Sequence, residues 1–222
     1  MLLAVDTSTR TVGVALYDGA QVLSESVWTS RDYHTVELAP AVASVLARAG
    51  IAIHQLQALA VATGPGSFTG LRVGLALVKG LSLATRLPLI GIPSLDVLAE
   101  AQPHRVERLV AVLRAGRGRL AVGWYQARAE RWKSTGKVEL LSPESLSQKL
   151  NEPTQVCGEL TAEERRSLAR KRKNVLLASP AASLRRPSFL AELAWRRWEA
   201  GQVDDPATLA PFYLHEHELI PG

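Results

Sequence analysis

The sequence of 222 residues predicts an α/β fold built as two like lobes. Three observations predict it. Apolar or alternating runs of strand length are interleaved with segments of helical period. The same order of these segments occurs twice along the chain. In the first half, Val61-Ala62-Thr63-Gly64-Pro65-Gly66-Ser67-Phe68-Thr69-Gly70 reads as the end of a buried strand, a tight turn and the entry to a long helix.

The first half runs as follows. Leu2-Leu3-Ala4-Val5 suits a buried strand, Asp6-Thr7-Ser8-Thr9 a hydroxyl-rich turn, and residues 11–17 the returning strand. Asp18-Gly19 marks a tight hairpin, and residues 21–28 alternate as a third strand. Val36, Leu38, Val42, Val45 and Leu46 give residues 34–49 a helical period; Pro40 falls near the first turns, and Gly50 ends the helix. A fourth strand at 57–62 feeds the glycine turn, where Pro65 fixes φ and Gly66 is expected to supply the positive φ of a type II turn. Ser67 is a natural N-cap for a helix reaching residue 87. Residues 87–92 form a fifth strand, and 94–101 a helix behind Pro93.

The second half repeats the order. Residues 108–113, 120–128 and 132–141 read as strands. A helix follows from Pro143, which sits at its first position. A strand around Gln155-Val156-Cys157, a helix at 162–171, a strand at 174–177 and a helix at 187–200 complete the set. Three strands, helix, strand, helix, twice over, is the signature of two ribonuclease H-like lobes, divided near Gln102-Pro103-His104 into residues 1–103 and 104–222.

Composition is that of a globular protein, with 47% hydrophobic residues and a net charge of +5. The charge is uneven: residues 1–103 carry 6 basic and 7 acidic side chains, residues 104–222 carry 20 and 14. A basic half can attract nucleic acid or serve as solvated surface. The single Cys157 excludes internal disulfides and fits a reducing, cytoplasmic setting. Met1-Leu2-Leu3 leads to Asp6 without the basic start and apolar run of a secretory signal, and the apolar part of the central helix is too short and mixed to span a bilayer.

The glycine stretch is neither a Walker A cradle, since no Gly-Lys-Ser/Thr follows, nor a dinucleotide fingerprint, since its spacing is Gly-x-Gly-x-x-x-Gly. An anion at the helix N-terminus and a purely structural turn both stay open. The helix is apolar nearly all round, so it must be covered all round. Gly70, Gly74, Ala76, Gly80 and Ala84 would admit a second backbone. That cover is another protein or the helix's own domain.

Leu3-Ala4-Val5-Asp6-Thr7-Ser8, the helix start at 34–40, the string from Thr63 to Gly74, Pro88-Leu89-Ile90-Gly91-Ile92 and Pro211-Phe212-Tyr213-Leu214 together resemble the TsaB family. The match is close over the first lobe; in the second it is carried by element order and the final Tyr-Leu. The resemblance implies the actin-like ATPase and sugar-kinase superfold. It also implies a non-catalytic role beside TsaD, the catalytic paralogue in bacterial threonylcarbamoyladenosine synthesis. It implies pairing with TsaD through the helices at 34–49 and 67–87, with His34, Glu37, Leu38, Val42, Leu71, Gly74, Leu75, Val78 and Leu81 at the interface. A homodimer would use the same surface when TsaD is absent. TsaE, an ATPase, would join, and tRNA would be met through the complex, where TsaD modifies the adenosine next to the anticodon of tRNAs reading A-starting codons. No membrane is involved. No cofactor is held tightly by this chain alone, and a nucleotide at the partner interface stays open.

Two departures from the resemblance bear on catalysis. TsaD carries a His-x-x-x-His metal pair after its Pro-Leu-x-Gly strand; here Ser94 and Leu98 stand at those positions, and Leu98 cannot ligate a metal. In the other lobe, Leu113-Arg114-Ala115-Gly116-Arg117 replaces an acid with arginine, which would repel Mg²⁺. Asp6, Thr7, Gly64, Pro65, Gly66, Ser67 and Gly70 are then read as a structural loop, with Asp6 organising its own turn. Neither a catalytic nor a metal-ligating residue is assigned.

Two rival classes remain. The first is an enzyme, a metallopeptidase-like protein or weak ATPase. No His-Glu-x-x-His is present, and His215-Glu216-His217 is a weak metal pattern. The second is a stand-alone tRNA-binding protein, suggested by Arg165-Arg166, Arg170-Lys171-Arg172-Lys173, Arg185-Arg186 and Arg196-Arg197. The one-turn spacing of Trp195 and Trp198 with Leu190, Ala191 and Ala194 favours core packing over base stacking.

Overall fold

The computed structural model describes residues 1–31, 34–129, 131–171 and 173–214. In the first half, β1 (Leu2–Asp6), β2 (Thr11–Tyr17) and β3 (Val22–Thr29) form an antiparallel meander. Then come α1 (His34–Ala49), β4 (Ala58–Gly64), α2 (Phe68–Thr85), β5 (Leu89–Pro93) and α3 (Ser94–Glu100). The sheet order is β3-β2-β1-β4-β5, with β4 parallel to β1 and β5 parallel to β4.

The second half contributes β6 (Arg108–Arg114), β7 (Leu120–Arg128), β8 (Arg131–Ser134), β9 (Glu139–Leu141), α4 (Pro143–Lys149), β10 (Thr154–Gly158), α5 (Ala162–Ala169), β11 (Val175–Leu177) and α6 (Pro187–Glu199). Its sheet order, β11-β10-β6-β7-β8, repeats the first lobe's topology. One expected strand is corrected: residues 132–141 form two short strands, β8 and β9, which pair with the two ends of β7. Gly136 falls between them.

Alternation along the strands sorts the cores, because successive side chains face opposite sides of a sheet. Leu3 and Val5 face α1 and α2, packing with Leu38, Val42, Val45, Leu75 and Val78. Leu2 and Ala4 face the other way, toward Ile90, Ile92 and the α6 residues Leu190, Ala191 and Ala194. In the second sheet, Val110 and Val112 pack toward Leu146 and Leu168, while Leu109, Ala111 and Leu113 meet Leu95, Leu98 and Ala99 of α3.

The helices therefore correct the expected boundary. The sheets divide near residue 103, but α3 from the first half covers the second sheet, and α6 from the second half covers the first. Each lobe is closed by a helix from the other half of the chain. Trp195 and Trp198 of α6 lie in this packing at 4.8 Å, with Trp195 edge-on to Tyr17, so these indoles are used for packing. Cys157 is buried against Leu98, and that burial pushes its thiol pKa up.

Among the described residues, α2 is the one helix long and apolar enough to cross a membrane. Its Leu71, Leu75 and Val78 stripe is buried in the chain itself.

Candidate functional site

The first strand ends at a turn that interlocks with the glycine loop. Asp6 Oδ1 accepts from the Ser8 amide at 2.8 Å, as an Asx-type turn requires. Thr7 Oγ1 donates to the Gly70 carbonyl at 2.7 Å, and the Ser67 amide donates to the Ser8 carbonyl at 2.6 Å. Ser67 caps α2, its Oγ accepting from the Gly70 amide at 3.2 Å. The predicted loop of Asp6, Thr7, Gly64, Pro65, Gly66, Ser67 and Gly70 is thus brought together.

The glycines act differently from expectation. Gly64, not Gly66, takes the positive φ, at +107°, so the turn is not type II. Gly66 is needed for proximity: a Cβ there would lie 2.1 Å from the Ser8 carbonyl oxygen. At Gly70 a Cβ would lie 2.3 Å from the Thr7 oxygen, and at Gly74 it would lie 2.2 Å from Thr7 Oγ1. Gly70 and Gly74 therefore admit the chain's own first turn, whereas a Cβ on Gly80 would meet open space.

The interface residues need the same correction. His34, Leu38, Val42, Leu71, Gly74, Leu75 and Val78 are buried in their own lobe, and Glu37 and Leu81 are half-buried. Glu37 accepts a hydrogen bond from Trp28 Nε1 at 2.9 Å, and His34 Nε2 lies 3.1 Å from the Thr9 carbonyl oxygen. The i, i+3, i+4 stripe read as a docking face is the core stripe. The face turned outward is one helical step round: Val36, Ala39 and Ala43 of α1, and Ala76, Gly80 and Leu83 of α2. Leu83 is 76% exposed, Val36 69% and Phe68 54%. At its edge Arg72 sits 3.7 Å over the Phe68 ring and donates from Nε to Tyr213 Oη at 3.0 Å.

A cleft of about 1110 Å³ opens between the lobes. Thr9, Arg10, His34, Gly66 and Ser67 line it from one side, and Arg114, Gly116, Arg117, Arg119 and Glu159 from the other. At its base lies a feature that sequence reading missed. Arg185, counted there in a basic block, is buried, and its Nε donates to Asp6 Oδ2 at 2.5 Å. Its Nη atoms donate to Glu159 Oε1 at 3.1 Å, Thr9 Oγ1 at 3.1 Å and the Thr11 carbonyl at 3.0 Å. Thr9 Oγ1 in turn donates to Glu159 Oε1 at 2.6 Å. Burial alone would lower the Arg185 pKa, but the charges of Asp6 and Glu159 outweigh it and raise it. No local signal in the sequence separates Arg185 from Arg186, which lies at the surface against Glu25.

The positions where the resemblance places a metal pair do not fit one. Ser94 is fully buried, sharing a hydrogen bond with Ser8 Oγ at 2.6 Å and accepting from the Gly64 amide at 3.0 Å. Leu98 is a core residue. Among the described residues no group of three or more His, Cys, Asp or Glu side chains could hold a metal. His215-Glu216-His217 and Arg172 lie outside the described residues.

A family model described as TsaD, tRNA N6-adenosine threonylcarbamoyltransferase, matches residues 21–190. The chain belongs to the TsaD family. Its curated relatives include TsaB proteins, as the glycine loop and first turn led us to expect. The tRNA threonylcarbamoyladenosine biosynthesis protein TsaB of Bacillus subtilis is 36% identical over 125 residues, 56% of this chain and 55% of that protein. The Escherichia coli TsaB is 32% identical over 155 residues, covering 68% and 66%. The chain thus spans about half to two thirds of the length of the curated relatives it matches. YeaZ from Pseudomonas aeruginosa has the same fold at a TM-score of 0.80 and 28% identity, covering 96% of this chain and 99% of that one. The doubled sheet order is the expected actin-like ATPase and sugar-kinase arrangement.

Proposed function

We propose that this chain is a non-catalytic subunit of threonylcarbamoyladenosine biosynthesis, acting as the partner that holds TsaD in its active shape. The observation that carries this reading is the outward face of α1 and α2. Val36, Ala39, Ala43, Ala76, Gly80 and Leu83 are apolar or small and are left exposed by the described residues. Small residues along this face let a second helical pair approach closely, and half-exposed Lys79 beside Gly80 adds one charge to the α2 side. An apolar strip of this kind, rimmed by Arg48 and Arg72, is the expected form of a protein–protein contact.

The paralogue TsaD would present the corresponding helices, and a second copy of this chain would use the same strip when TsaD is absent. The transfer itself then belongs to TsaD, because Ser94 and Leu98 offer no metal grip to polarise substrate oxygens. TsaE would be recruited to the pair, and the modified adenosine would lie next to the anticodon of tRNAs reading A-starting codons. The setting is cytoplasmic. Co-expression with the host's TsaD, followed by sizing, tests the reading: a one-to-one complex is expected, and two separate species would reject it.

A second reading has one specific observation in its favour. The arginines lining the interlobe cleft come from both lobes, Arg10 from one and Arg114, Arg117 and Arg119 from the other. This supports direct contact with tRNA phosphates inside the complex. Salt-dependent retention of tRNA by the chain alone, lost when Arg114 and Arg117 become alanine, is its test.

A further inference from the structure

The superfold implies a magnesium-bound nucleotide against the first-strand carboxylate, and the residues of this chain do not fit one. Both oxygens of Asp6 are engaged, Oδ1 by the Ser8 amide and Oδ2 by Arg185. The guanidinium directs four of its five N–H donors at Asp6, Glu159, Thr9 and Thr11. Asp6, Thr9 and Thr11 belong to the first lobe and Glu159 to the second. Arg185 stands between β11 of the second lobe and α6, which closes the first. Glu159 is held toward the cleft by Gly158, whose φ of +117° and approach to the Val112 carbonyl leave no room for a Cβ.

We infer that Arg185 is a resident cation occupying the metal–nucleotide position of the fold and fixing the two lobes at one closure. A guanidinium remains charged at any pH the protein meets, and its planar fork satisfies several acceptors in fixed directions. Unlike a metal ion it cannot dissociate, so the cleft has no nucleotide-driven open and closed forms. A partner meets a preformed shape. This inference stands on the buried network alone and does not depend on which protein the outer face of α1 and α2 binds.

The test reads interlobe distance in the full chain. Spin labels at Ser44→Cys in α1 and Ser167→Cys in α5, both exposed, report it by double electron–electron resonance, with buried Cys157 left in place. One narrow distance, unchanged by Mg²⁺-ATP, is expected. Glu159→Gln removes the charge of the network's partly exposed second-lobe carboxylate and should broaden the distribution; Arg185→Lys should broaden it less than Arg185→Gln. Arg185→Gln should also gain Mn²⁺ binding, read as loss of the free-ion resonance, and the added Asp6→Asn change should abolish that gain. A distance that shifts with Mg²⁺-ATP in the unsubstituted chain would overturn the inference. So would a distribution that stays narrow in Glu159→Gln, or a folded Arg185→Gln protein that takes up no Mn²⁺. If Arg185→Gln fails to fold, the Glu159→Gln distribution decides.

Discussion

Asp6 and Arg185, 179 residues apart in the chain, meet at 2.5 Å with both side chains 1% exposed. The pair joins the first strand of one lobe to the segment that returns from the other. Taking two charges out of water costs several kcal/mol per ion, recovered only where geometry and further hydrogen bonds are good. Thr9, Thr11, Ser8 and Glu159 supply those bonds.

Breaking that pair leaves Asp6 buried and uncompensated. Arg185→Ala is expected to lower stability by about 3–5 kcal/mol. The adjacent Arg186→Ala removes a pair whose arginine is half-exposed and whose Glu25 keeps the Ser188 amide as a donor, and is expected to cost about 1 kcal/mol. Urea denaturation of the two variants side by side checks the contrast. Equal losses would mean that burial does not distinguish the neighbours.

Gly74 and Gly80 lie on one helix with opposite surroundings. Gly74→Ala drives a methyl into Thr7 Oγ1 and is expected to cost about 1–3 kcal/mol. Gly80→Ala meets open space and should stabilise the free chain by about 0.5–1 kcal/mol. If the strip around Gly80 is the docking face, that same change weakens the complex. Thermal unfolding of the free chain and sizing with TsaD separate the two effects.

Leu83→Asp tests the outer face directly. Leu83 is 76% exposed, so stability of the free chain should stay within about 0.5 kcal/mol. Complex formation should be lost. Leu38→Asp, by contrast, places a charge in the core and should prevent folding.

Asp96 and Tyr125 give a pH signature. Tyr125 Oη donates to Asp96 Oδ1 at 2.7 Å, and burial, with the Glu100 charge adding to it, pushes the Asp96 pKa above its usual 3.8. A carboxyl whose pKa is raised on folding binds more protons in the folded state, so its contribution falls as pH rises through that window. Asp96→Asn keeps an acceptor for Tyr125 and should be more stable than the parent at neutral pH. The advantage should shrink as pH falls toward 3.8. Denaturation midpoints across that pH range read it, and a pH-independent difference would reject the assignment.

Much of the fold was legible because local signals agreed with the global arrangement. The strand and helix order, the Ser67 cap, Pro143 at its helix start and the core role of Trp195 all follow from period and turn chemistry. What was not legible depends on contacts far apart in sequence. The exchange of α3 and α6 between lobes has no local mark, because an apolar stripe does not say which sheet it covers. The same gap applies to α2, where Leu71, Leu75 and Val78 are the core stripe and the exposed strip is poorer in large residues. Gly74 reads as a helix-packing notch, yet its neighbour is Thr7 of the same chain. Arg185 looked like one more surface arginine, and only the folded chain brings Asp6 and Glu159 to it.

The central claim is that the chain supports threonylcarbamoylation without carrying it out. Its most direct test is reconstitution of the modified adenosine from TsaD, TsaE, the threonylcarbamoyl donor and tRNA, with and without this chain. The account predicts little product without it, full product with it, loss with Leu83→Asp, and retention with Ser94→Ala. Full product from TsaD and TsaE alone, or product from this chain in the absence of TsaD, would contradict it.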